Sequence, residues 1–193
     1  MTKIVFQNGK ILTLGGKWII PDTGVGPEPG PQDEVQIGDQ IWKSKNLAID
    51  DGGEGIYTQT VNYGEGDVVE YYYTWEAAVR VAGSVSGWHL PTDAEWNTLA
   101  NTVGSSTASM KLRSTFGWTN GNGTDDYGFT ALPAGEHTNR YYYLYNRAYF
   151  WTATQRNTSN AYYCALLADM ENMYAGNSSK TYAKSVRLLK DEA

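Results

Sequence analysis

A segment rich in proline and glycine, residues 21–32, constrains this chain more than any other feature of its sequence. It holds four of the six prolines, interspersed with three glycines. Proline lacks a backbone donor and glycine favours turns, so we expect neither a helix nor a strand there. The sequence therefore predicts a linker over residues 21–32, which separates a small unit, residues 1–20, from a main domain, residues 33–193.

The small unit has the pattern of a three-stranded antiparallel meander. Short apolar runs are separated by Asn8-Gly9 and Gly15-Gly16, which are typical of tight hairpin turns, and they predict strands at residues 3–7, 11–14 and 18–20. Three such strands are marginal in isolation. We therefore expect this unit to serve in attachment or oligomerisation, with a homo-oligomer such as a trimer forming through it.

The main domain carries two helices whose ends are marked in the sequence. Thr74 is placed to cap a helix over residues 75–82. Thr92 and Glu95 match a capping box, in which each side chain accepts a hydrogen bond from the other's backbone N–H, so a second helix begins there and ends at Gly104. Alternation and composition predict a helical turn at residues 111–113 and strands at 35–37, 40–45, 150–154, 161–168 and 185–189.

Composition excludes several classes of function. The chain has 15 Lys and Arg against 21 Asp and Glu, a net charge of −6, which disfavours binding to the phosphates of a nucleic acid. There is no apolar run of about 18 residues, so we expect no membrane insertion. Residues 1–20 lack a basic start followed by an apolar stretch, so no secretory signal is predicted. A single cysteine, Cys164, excludes an internal disulfide and a cysteine-based zinc site.

Six short motifs follow one another along the main domain. They are VQIGDQIW at residues 35–42, YTWEAA at 73–78, GWHLPTDAEW at 87–96, DYGFTALPAG at 126–135, FWTAT at 150–154 and SVR at 185–187. In this order they resemble the Fibrobacter succinogenes major paralogous domain family, over about residues 33–192. Leu188 stands where that family usually has a cysteine after the last motif.

The resemblance implies an α+β, C-type-lectin-like fold, in which two helices pack on short, twisted antiparallel strands and long loops carry the binding function. The same fold occurs in the variable proteins of diversity-generating retroelements, which are found in phage tail tips and on bacterial surfaces and diversify exposed residues near the C-terminus. It also occurs in formylglycine-generating, sulfatase-modifying enzymes. Those enzymes need more than one reactive cysteine, whereas this chain has only Cys164, so we do not expect an enzyme.

Tyrosine is concentrated in residues 137–183, which hold nine of the 15 tyrosines together with six asparagines and three serines. Tyrosine offers a large contact area at a low cost in conformational entropy, and Asn and Ser adapt their hydrogen bonds to a partner. Along the predicted strand at 161–168, alternation places Ala165 and Leu167 on the same outward side as Tyr163. An outward Leu167 beside Tyr163 predicts an exposed apolar patch, the kind of surface that marks a contact.

We therefore predict a ligand-binding face built from residues 139–146, 155–160 and 163–178. Its predicted contact residues are Asn139, Tyr141, Tyr142, Tyr143, Tyr145, Asn146, Arg156, Asn157, Tyr163, Ala165, Leu167, Asp169, Glu171, Asn172, Tyr174 and Asn177. We expect the melting temperature to stay nearly unchanged when several outward residues are replaced together, namely Tyr141, Tyr143, Tyr163, Leu167 and Tyr174. The alternative is that this tyrosine-rich surface packs on a neighbouring copy.

No cofactor is predicted. Asn120, Asn122, Asp125 and Asp126 offer oxygen atoms that suit calcium, but a turn in which these side chains bond the local backbone explains the same residues. The Glu-Pro-Asn, Gln-Pro-Asp and Trp-Asn-Asp motifs of calcium-dependent sugar-binding lectins do not occur in the sequence.

The remaining motif residues are expected to be structural. His89 is placed to tie a strand to the start of the second helix, and Arg187 to anchor the last strand through a carboxylate or backbone carbonyls. Cys164 is expected in the core, as an inert thiol. The tryptophans Trp42, Trp75, Trp88, Trp96, Trp118 and Trp151 are expected to be core residues as well.

The resemblance and the tyrosine-rich segment together predict a ligand-recognition protein: a phage tail-tip or receptor-binding protein, or a retroelement-diversified variable protein. Its expected partner is a cell-surface protein or glycan. Its expected location is a virion or a bacterial cell surface. Two alternatives stay open, namely a bacterial surface adhesin or structural module of the same fold, and a sulfatase-modifying-type enzyme, which the cysteine count disfavours.

Overall fold

The computed structural model describes residues 33–192 and, of the preceding unit, the backbone of three short strands. These are β1 (Phe6–Gln7), β2 (Lys10–Leu12) and β3 (Trp18–Ile19), which pair antiparallel in the order β1-β2-β3. The chain divides into two compact units, Met1–Gln32 and Asp33–Ala193. The three fragments follow the order of the predicted meander, while its turns, the ends of its strands and the linker lie outside the described residues.

The described part of the larger unit is an α+β structure with three short α-helices and four antiparallel sheets. The elements in chain order are β4 (Glu34–Ile37), β5 (Gln40–Lys43), β6 (Ile56–Asn62), β7 (Asp67–Tyr73), α1 (Trp75–Ala82), β8 (Trp88–His89), α2 (Asp93–Val103), a 3-10 turn (Ser105–Thr107), α3 (Ala108–Leu112), β9 (Glu136–His137), β10 (Tyr141–Tyr142), β11 (Arg147–Gln155), β12 (Asn160–Leu167), β13 (Tyr174–Ser179) and β14 (Leu189–Lys190). The sheets are β4-β5-β14-β8, β6-β7, β9-β10 and β11-β12-β13.

Both predicted helices are confirmed, with the predicted caps. The Thr74 hydroxyl accepts the backbone N–H of Ala77 at the start of α1. At the start of α2, the Thr92 hydroxyl accepts the Glu95 N–H at 3.3 Å, and the Glu95 carboxylate accepts the Thr92 N–H at 2.7 Å. Two backbone donors that a helix start leaves unpaired are thus satisfied by side chains. None of the described helices has the length and apolar character needed to cross a bilayer.

We expect Thr92→Ala to lower the free energy of unfolding by about 1 kcal/mol, because the substitution removes the oxygen that accepts the Glu95 N–H. Thermal denaturation followed by circular dichroism measures the change. Thr98→Ala, at an exposed position in the middle of the same helix, is the matched control and should shift the melting temperature much less. Equal shifts for the two variants would show that the cap does not stabilise the start of α2.

The first core lies between α2 and the sheet β11-β12-β13. Trp96 of α2 is its centre, with its ring centroid 4.7 Å from that of Trp42, 5.3 Å from Phe150 and 6.0 Å from Phe129. All four rings are buried. Cys164 of β12 is buried in the same cluster, as predicted.

A second core covers the other side of the same sheet. Trp151 of β11 is buried there with α1 and with Tyr73, whose carbonyl accepts the indole N–H at 2.8 Å. Because Phe150 and Trp151 are neighbours on β11, their side chains project to opposite sides of the sheet, and each side is covered by its own helix. Of the tryptophans predicted to be core residues, Trp42, Trp96, Trp118 and Trp151 are buried, and Trp75 and Trp88 are half-buried.

The buried guanidinium of Arg187 joins three separate segments of the chain. Its Nη1 donates to the carbonyls of Phe129 at 2.6 Å and Lys43 at 3.1 Å. Its Nε and Nη2 both donate to the Asn46 side-chain oxygen, at 3.2 and 2.9 Å. Burial lowers the pKa of Arg187, and the Glu70 carboxylate opposes that change. The predicted anchoring role of Arg187 is confirmed.

Some strands were not predicted from the sequence. The hairpin of β6 and β7 has an alternating, β-branched and aromatic composition around glycines at 64 and 66, a signal that could have identified it. The strand β13 is polar and small-residue rich, so it carries little such signal. Of the strand predicted at 185–189, only Leu189 belongs to a regular strand, β14. Ser185 forms an isolated bridge with Phe150.

Candidate functional site

The sheet β11-β12-β13 positions several of the predicted contact residues. Tyr149 of β11 lies opposite Ala165 of β12, which in turn lies opposite Tyr174 of β13. Tyr163 is two residues before Ala165 and therefore projects on the same side. This is the side opposite to Phe150 and the first core.

The prediction that Leu167 forms an exposed apolar patch is wrong. Leu167 and Ala165 lie on the predicted side of β12, but they are only 9% and 0% exposed. They pack with the buried Tyr149 and are contacted by Tyr163 and Met170. Alternation determines the side of a strand on which a residue lies, but not whether another segment covers it, and Met170 comes from the loop after β12. Leu167 and Ala165 therefore lie beneath the side chains of Tyr163 and Met170, which pack on them.

Tyr141 is also packed against other parts of the domain. It is half-buried, its hydroxyl donates to the carbonyl of Thr58 at 2.7 Å, and its ring centroid lies 5.2 Å from that of Tyr72. Replacing Tyr141, Tyr163 and Leu167 together would remove packing in several places. The predicted joint replacement is therefore not expected to be neutral for stability.

Five tyrosines form a continuous chain of neighbouring rings, which we call the tyrosine face: Tyr142, Tyr143, Tyr149, Tyr163 and Tyr174. Successive ring centroids along this chain are 6.1, 6.1, 5.4 and 6.3 Å apart. Tyr143 and Tyr174 are 46% and 44% exposed, whereas Tyr149 is buried. The exposed ring of Tyr143 therefore rests on the buried ring of Tyr149, and the exposed ring of Tyr174 rests on the half-buried ring of Tyr163.

A buried lysine supports the tyrosine face. The ammonium of Lys184 lies 4.9 Å from the ring centroid of Tyr149 and 4.8 Å from that of Tyr163, and it forms an ion pair with Glu136. Burial lowers the pKa of Lys184, and the Glu136 carboxylate opposes that change. Attraction between a cation and aromatic rings is strongest where water is excluded. Sequence reasoning missed this residue, because nothing in the local pattern distinguishes a buried lysine from a surface one.

A polar depression of about 270 Å³ borders the tyrosine face. It is lined by Thr119, Asn120, Tyr143, Asn146, Arg147, Ala168 and Asp169. The guanidinium of Arg147 lies 4.2 Å from the ring centroid of Tyr143, and its Nη1 donates to the Tyr149 hydroxyl at 2.9 Å. The structure thus brings the predicted residues Tyr143, Asn146 and Asp169 together, and it adds Arg147, which the sequence did not single out.

The backbone around this depression is unusual. Asn120, Tyr143 and Tyr145 have φ angles of 62°, 60° and 64°. Residues other than glycine rarely adopt this left-handed backbone conformation. It persists only where surrounding contacts impose it. Such positions cluster at ligand-binding sites, so the segment that presents Tyr143 and Tyr145 is a candidate for function.

Two predicted contact residues lie at the other end of the sheet. Arg156 and Asn157 form the turn between β11 and β12. Arg156 is nine residues along the chain from Arg147, or at most roughly 30 Å at about 3.3 Å per residue. The Asn157 side-chain oxygen accepts the N–H groups of Ser159 and Asn160 at 3.0 and 2.8 Å. Asn157 therefore stabilises a turn, and neither residue belongs to the tyrosine face.

The other predicted residues surround the face at different positions. Asn139 is exposed and accepts the Tyr142 hydroxyl at 3.1 Å, while the exposed Tyr145 donates to the carbonyl of Asn62. Glu171 and Asn172 are exposed in the loop after β12. Asn177 lies opposite Tyr162 and so projects on the other side of the sheet from Tyr174.

The main unit matches one family model, that of the Fibrobacter succinogenes major domain, over residues 35–190. The chain belongs to this family. The matched span covers all three helices and every residue of the tyrosine face. No curated protein and no solved structure matches the chain.

The motifs on which the resemblance was based contribute contacts that hold the fold of this Fibrobacter succinogenes major domain together. His89, in the third motif, contacts Glu95 of α2 through Nε2 at 3.1 Å and Asp191 through Nδ1 at 2.7 Å, so its predicted structural role is confirmed. In the fourth motif, Phe129 accepts a hydrogen bond from Arg187 of the last. None of the five residues of the tyrosine face lies in a motif.

Two of the four candidate calcium ligands in the 120–126 loop, Asn122 and Asp125, bond local groups in this Fibrobacter succinogenes major domain. The Asp125 carboxylate accepts both the N–H and the hydroxyl of Thr130 at 2.7 Å. The Asn122 side-chain oxygen accepts the Trp118 N–H at 3.0 Å. Among the described residues, no group of three or more His, Cys, Asp or Glu side chains is arranged to hold a metal ion. The turn explanation therefore accounts for the side chains of Asn122 and Asp125.

Proposed function

We propose that this Fibrobacter succinogenes major domain is a ligand-recognition protein of C-type-lectin-like fold, which binds a cell-surface protein or glycan through the tyrosine face. The observation that carries the proposal is the exposure of Tyr143 and Tyr174, two members of a chain of packed tyrosines. Exposed aromatic rings with asparagine nearby are typical of binding surfaces, because they give a large contact area with few rotatable bonds.

The surface is organised before any ligand arrives. The guanidinium of Arg147 packs on the ring of Tyr143 and bonds the hydroxyl of Tyr149, while Lys184 and Glu136 form an ion pair beneath the rings. A rigid surface loses less side-chain entropy on binding than a mobile one, so more of the contact energy contributes to affinity. The depression beside Tyr143 offers amide, hydroxyl and carboxylate groups for hydrogen bonds at the edge of the aromatic contact.

Binding fits the chemistry of this domain better than catalysis. Cys164, the only cysteine of the chain, is buried, and burial raises the pKa of its thiol well above the usual range. A thiol that stays protonated is a poor nucleophile. His89 is engaged with two carboxylates, and His137 stacks on Tyr57 with ring centroids 4.0 Å apart. These contacts favour structural roles for the three side chains.

We propose that the protein is located on a virion, where it is a phage tail-tip or receptor-binding protein, or on a bacterial cell surface. The β1-β2-β3 unit would serve in attachment or oligomerisation, and several copies held together would convert weak single contacts into useful avidity. The exposed tyrosines are positions at which a retroelement could exchange side chains without disturbing either core.

The alternative is a bacterial adhesin of the same fold whose surface does not vary. Sequencing the 3′ part of the gene across a population distinguishes a diversified protein from such an adhesin. Variation confined to exposed codons favours diversification, whereas an invariant segment favours the adhesin.

The proposal is tested by probing arrays of glycans and of cell-surface proteins with the purified, fluorescently labelled protein. We expect reproducible retention on a restricted set of ligands. Denatured protein at the same concentration is the control for nonspecific adhesion. An absence of retention on both arrays at micromolar concentrations, with the protein shown to be folded, would contradict the proposal.

A further inference from the structure

One edge of strand β7 is not covered by another strand of the described structure, and we call it the free edge. The other edge of β7 pairs with β6 along the whole strand. On the free edge only Tyr73 is paired: its N–H and carbonyl bond the backbone of Lys184 at 2.9 and 3.0 Å. In an antiparallel strand the backbone groups of successive residues point alternately to the two edges. Those of Tyr71 and Val69 therefore point to the free edge, as those of Tyr73 do.

The backbone groups of Tyr71 and Val69 have no backbone partner on this edge among the described residues. An antiparallel strand continuing from Lys184 would bring Val186 opposite Tyr71, but the carbonyl of Val186 accepts the N–H of Leu47 at 2.8 Å instead. Two N–H donors and two carbonyl acceptors are thus left along the free edge. A strand edge of this kind is a template for pairing with another chain.

A cavity of about 310 Å³ borders the free edge. It is lined by residues 68–71 of β7 and by no residue of β6. Because successive side chains point to opposite faces of a strand, four successive lining residues place the cavity at the edge of β7. Residues 44–48, Phe116 and Leu132 contribute to its lining, which is mainly apolar. The volume lies at the small end of the range for ligand sites, about 300–1,000 Å³, and gives room for an apolar side chain.

The charged side chains that line this cavity are balanced by opposite charges. The amide of Asn46 donates to the Glu70 carboxylate at 3.1 Å, and its oxygen accepts from the Arg187 guanidinium at 2.9 Å, so Asn46 joins these two charges. The ammonium of Lys45 lies 2.8 Å from a carboxylate oxygen of Asp33. An additional charge would stay unpaired on leaving water, which is costly. Charge complementarity therefore favours an uncharged ligand.

We propose that the free edge of β7 binds an extended, uncharged peptide segment of a partner protein, which adds a strand to the β6-β7 sheet and places an apolar side chain in the cavity. Val69 and Tyr71 each offer a donor and an acceptor, and an extended backbone carries the same groups at the same two-residue spacing. In recognition by strand addition, backbone bonds give the affinity and pockets select the side chains. None of the five residues of the tyrosine face lines the cavity, so this inference does not rest on the proposed function of that face.

A second copy of the chain is a less suitable occupant than an uncharged peptide. Pairing of Val69 in each copy with Tyr71 in the other would set the two Glu70 side chains directly opposite each other. Like charges at directly opposite positions of a sheet are destabilising. An uncharged segment avoids this repulsion.

The probe for the test is an acetylated and amidated pentapeptide of alternating threonine and valine. Amide hydrogen exchange of the full-length protein, followed by NMR, reports each N–H separately. In the free protein we expect the N–H groups of Val69 and Tyr71 to exchange about tenfold or more faster than those of Glu70 and Tyr72, which point to β6. The peptide should slow the first two about tenfold or more and leave the others unchanged. No slowing at millimolar peptide would overturn the proposal.

N-methylated peptides provide a matched control on the ligand. Alternate N–H groups of a bound strand face β7, and the others face away from it. One peptide carries methyl groups on its valine nitrogens and the other on its threonine nitrogens. We expect their affinities to differ about tenfold or more, because a shift by one residue that restored the backbone bonds would exchange the side chains in the cavity. Equal affinities would show that β7 does not pair with the peptide backbone.

Val69→Pro tests the free edge on the protein. Proline removes the N–H that points to this edge and leaves the bonds between β6 and β7 in place, so the peptide should bind about tenfold or more weakly. Thr60→Pro, opposite Val69 on β6, removes the corresponding N–H from the other edge and should bind like the wild type. If either proline variant does not fold, Ala48→Trp decides, because its ring would fill the cavity and should weaken binding equally. Unchanged binding in the folded variant would overturn the proposal.

Two other occupants are distinguished with the same variants. We expect light scattering to give the same mass for Val69→Pro and the wild type, whereas a dimer lost in Val69→Pro would assign the free edge to a second copy. We expect 2-phenylethanol, a small uncharged molecule, to compete with the peptide only about tenfold or more weakly than unlabelled peptide. Equal competition would assign the cavity to a small molecule and overturn the proposal.

Discussion

We expect Arg187→Met to lower the free energy of unfolding by about 3–5 kcal/mol, the cost of removing one member of a buried polar network. Methionine fills a similar volume but donates no hydrogen bond. The carbonyls of Phe129 and Lys43 and the side-chain oxygen of Asn46 would lose their donors inside the domain. The buried carboxylate of Glu70 would also lose the nearby positive charge that favours its ionised form.

Urea denaturation followed by tryptophan fluorescence measures this loss, because Trp42, Trp96, Trp118 and Trp151 are buried. Arg156→Met is the matched control, since Arg156 is exposed in the turn between β11 and β12. It should change the free energy of unfolding by less than about 0.5 kcal/mol. A loss below about 1 kcal/mol for Arg187→Met would mean that Arg187 does not anchor the last strand.

Trp96→Ala should cost about 3–5 kcal/mol, because it leaves a cavity at the centre of the first core. The indole is 1% exposed and touches the rings of Trp42, Phe129 and Phe150, which come from three other segments. Its Nε1 has no hydrogen-bond partner among the described residues, so the loss is one of packing and not of a hydrogen bond.

Tyr174→Ala provides the comparison for this core substitution. Tyr174 is also a large aromatic residue, but it is exposed on the tyrosine face, so its removal should cost less than about 1 kcal/mol. Urea midpoints measured under one set of conditions compare the two variants. A similar loss in both would mean that the tyrosine face is part of the core, and the proposed binding surface would fail.

The helices were predictable because their signals are local. Thr92 and Glu95, three residues apart, mark the start of α2 by a contact between themselves. This signal does not depend on what the helix packs against. The burial of Leu167 was not predictable in this way, because it depends on Met170 and on the ring of Tyr149 from a neighbouring strand. Arg156 and Asn157 were grouped with the face by composition alone. Their position at the far end of the sheet follows from the strand register, which composition does not encode.

The six sequence motifs and the candidate site occupy different parts of the chain. Thr92, Phe129 and Arg187 lie in motifs, where they serve as a helix cap, a buried ring and a buried guanidinium. Tyr143 and Tyr174 lie outside them, at exposed positions where many side chains are compatible with the fold. The resemblance therefore predicted the family correctly, while the residues of the proposed binding surface lie outside the motifs.

The affinity of the double variant Tyr143→Ser/Tyr174→Ser tests recognition by the tyrosine face most directly. Its dissociation constant is measured by biolayer interferometry against a ligand selected on the arrays, beside the wild type and an Arg156→Ser control. We predict a dissociation constant raised about tenfold or more, since few residues supply most of the binding energy of an interface. The melting temperature should stay within about 2 °C of the wild type, and the control should change neither quantity. Unchanged affinity in a folded double variant would contradict the proposal that the tyrosine face binds the ligand.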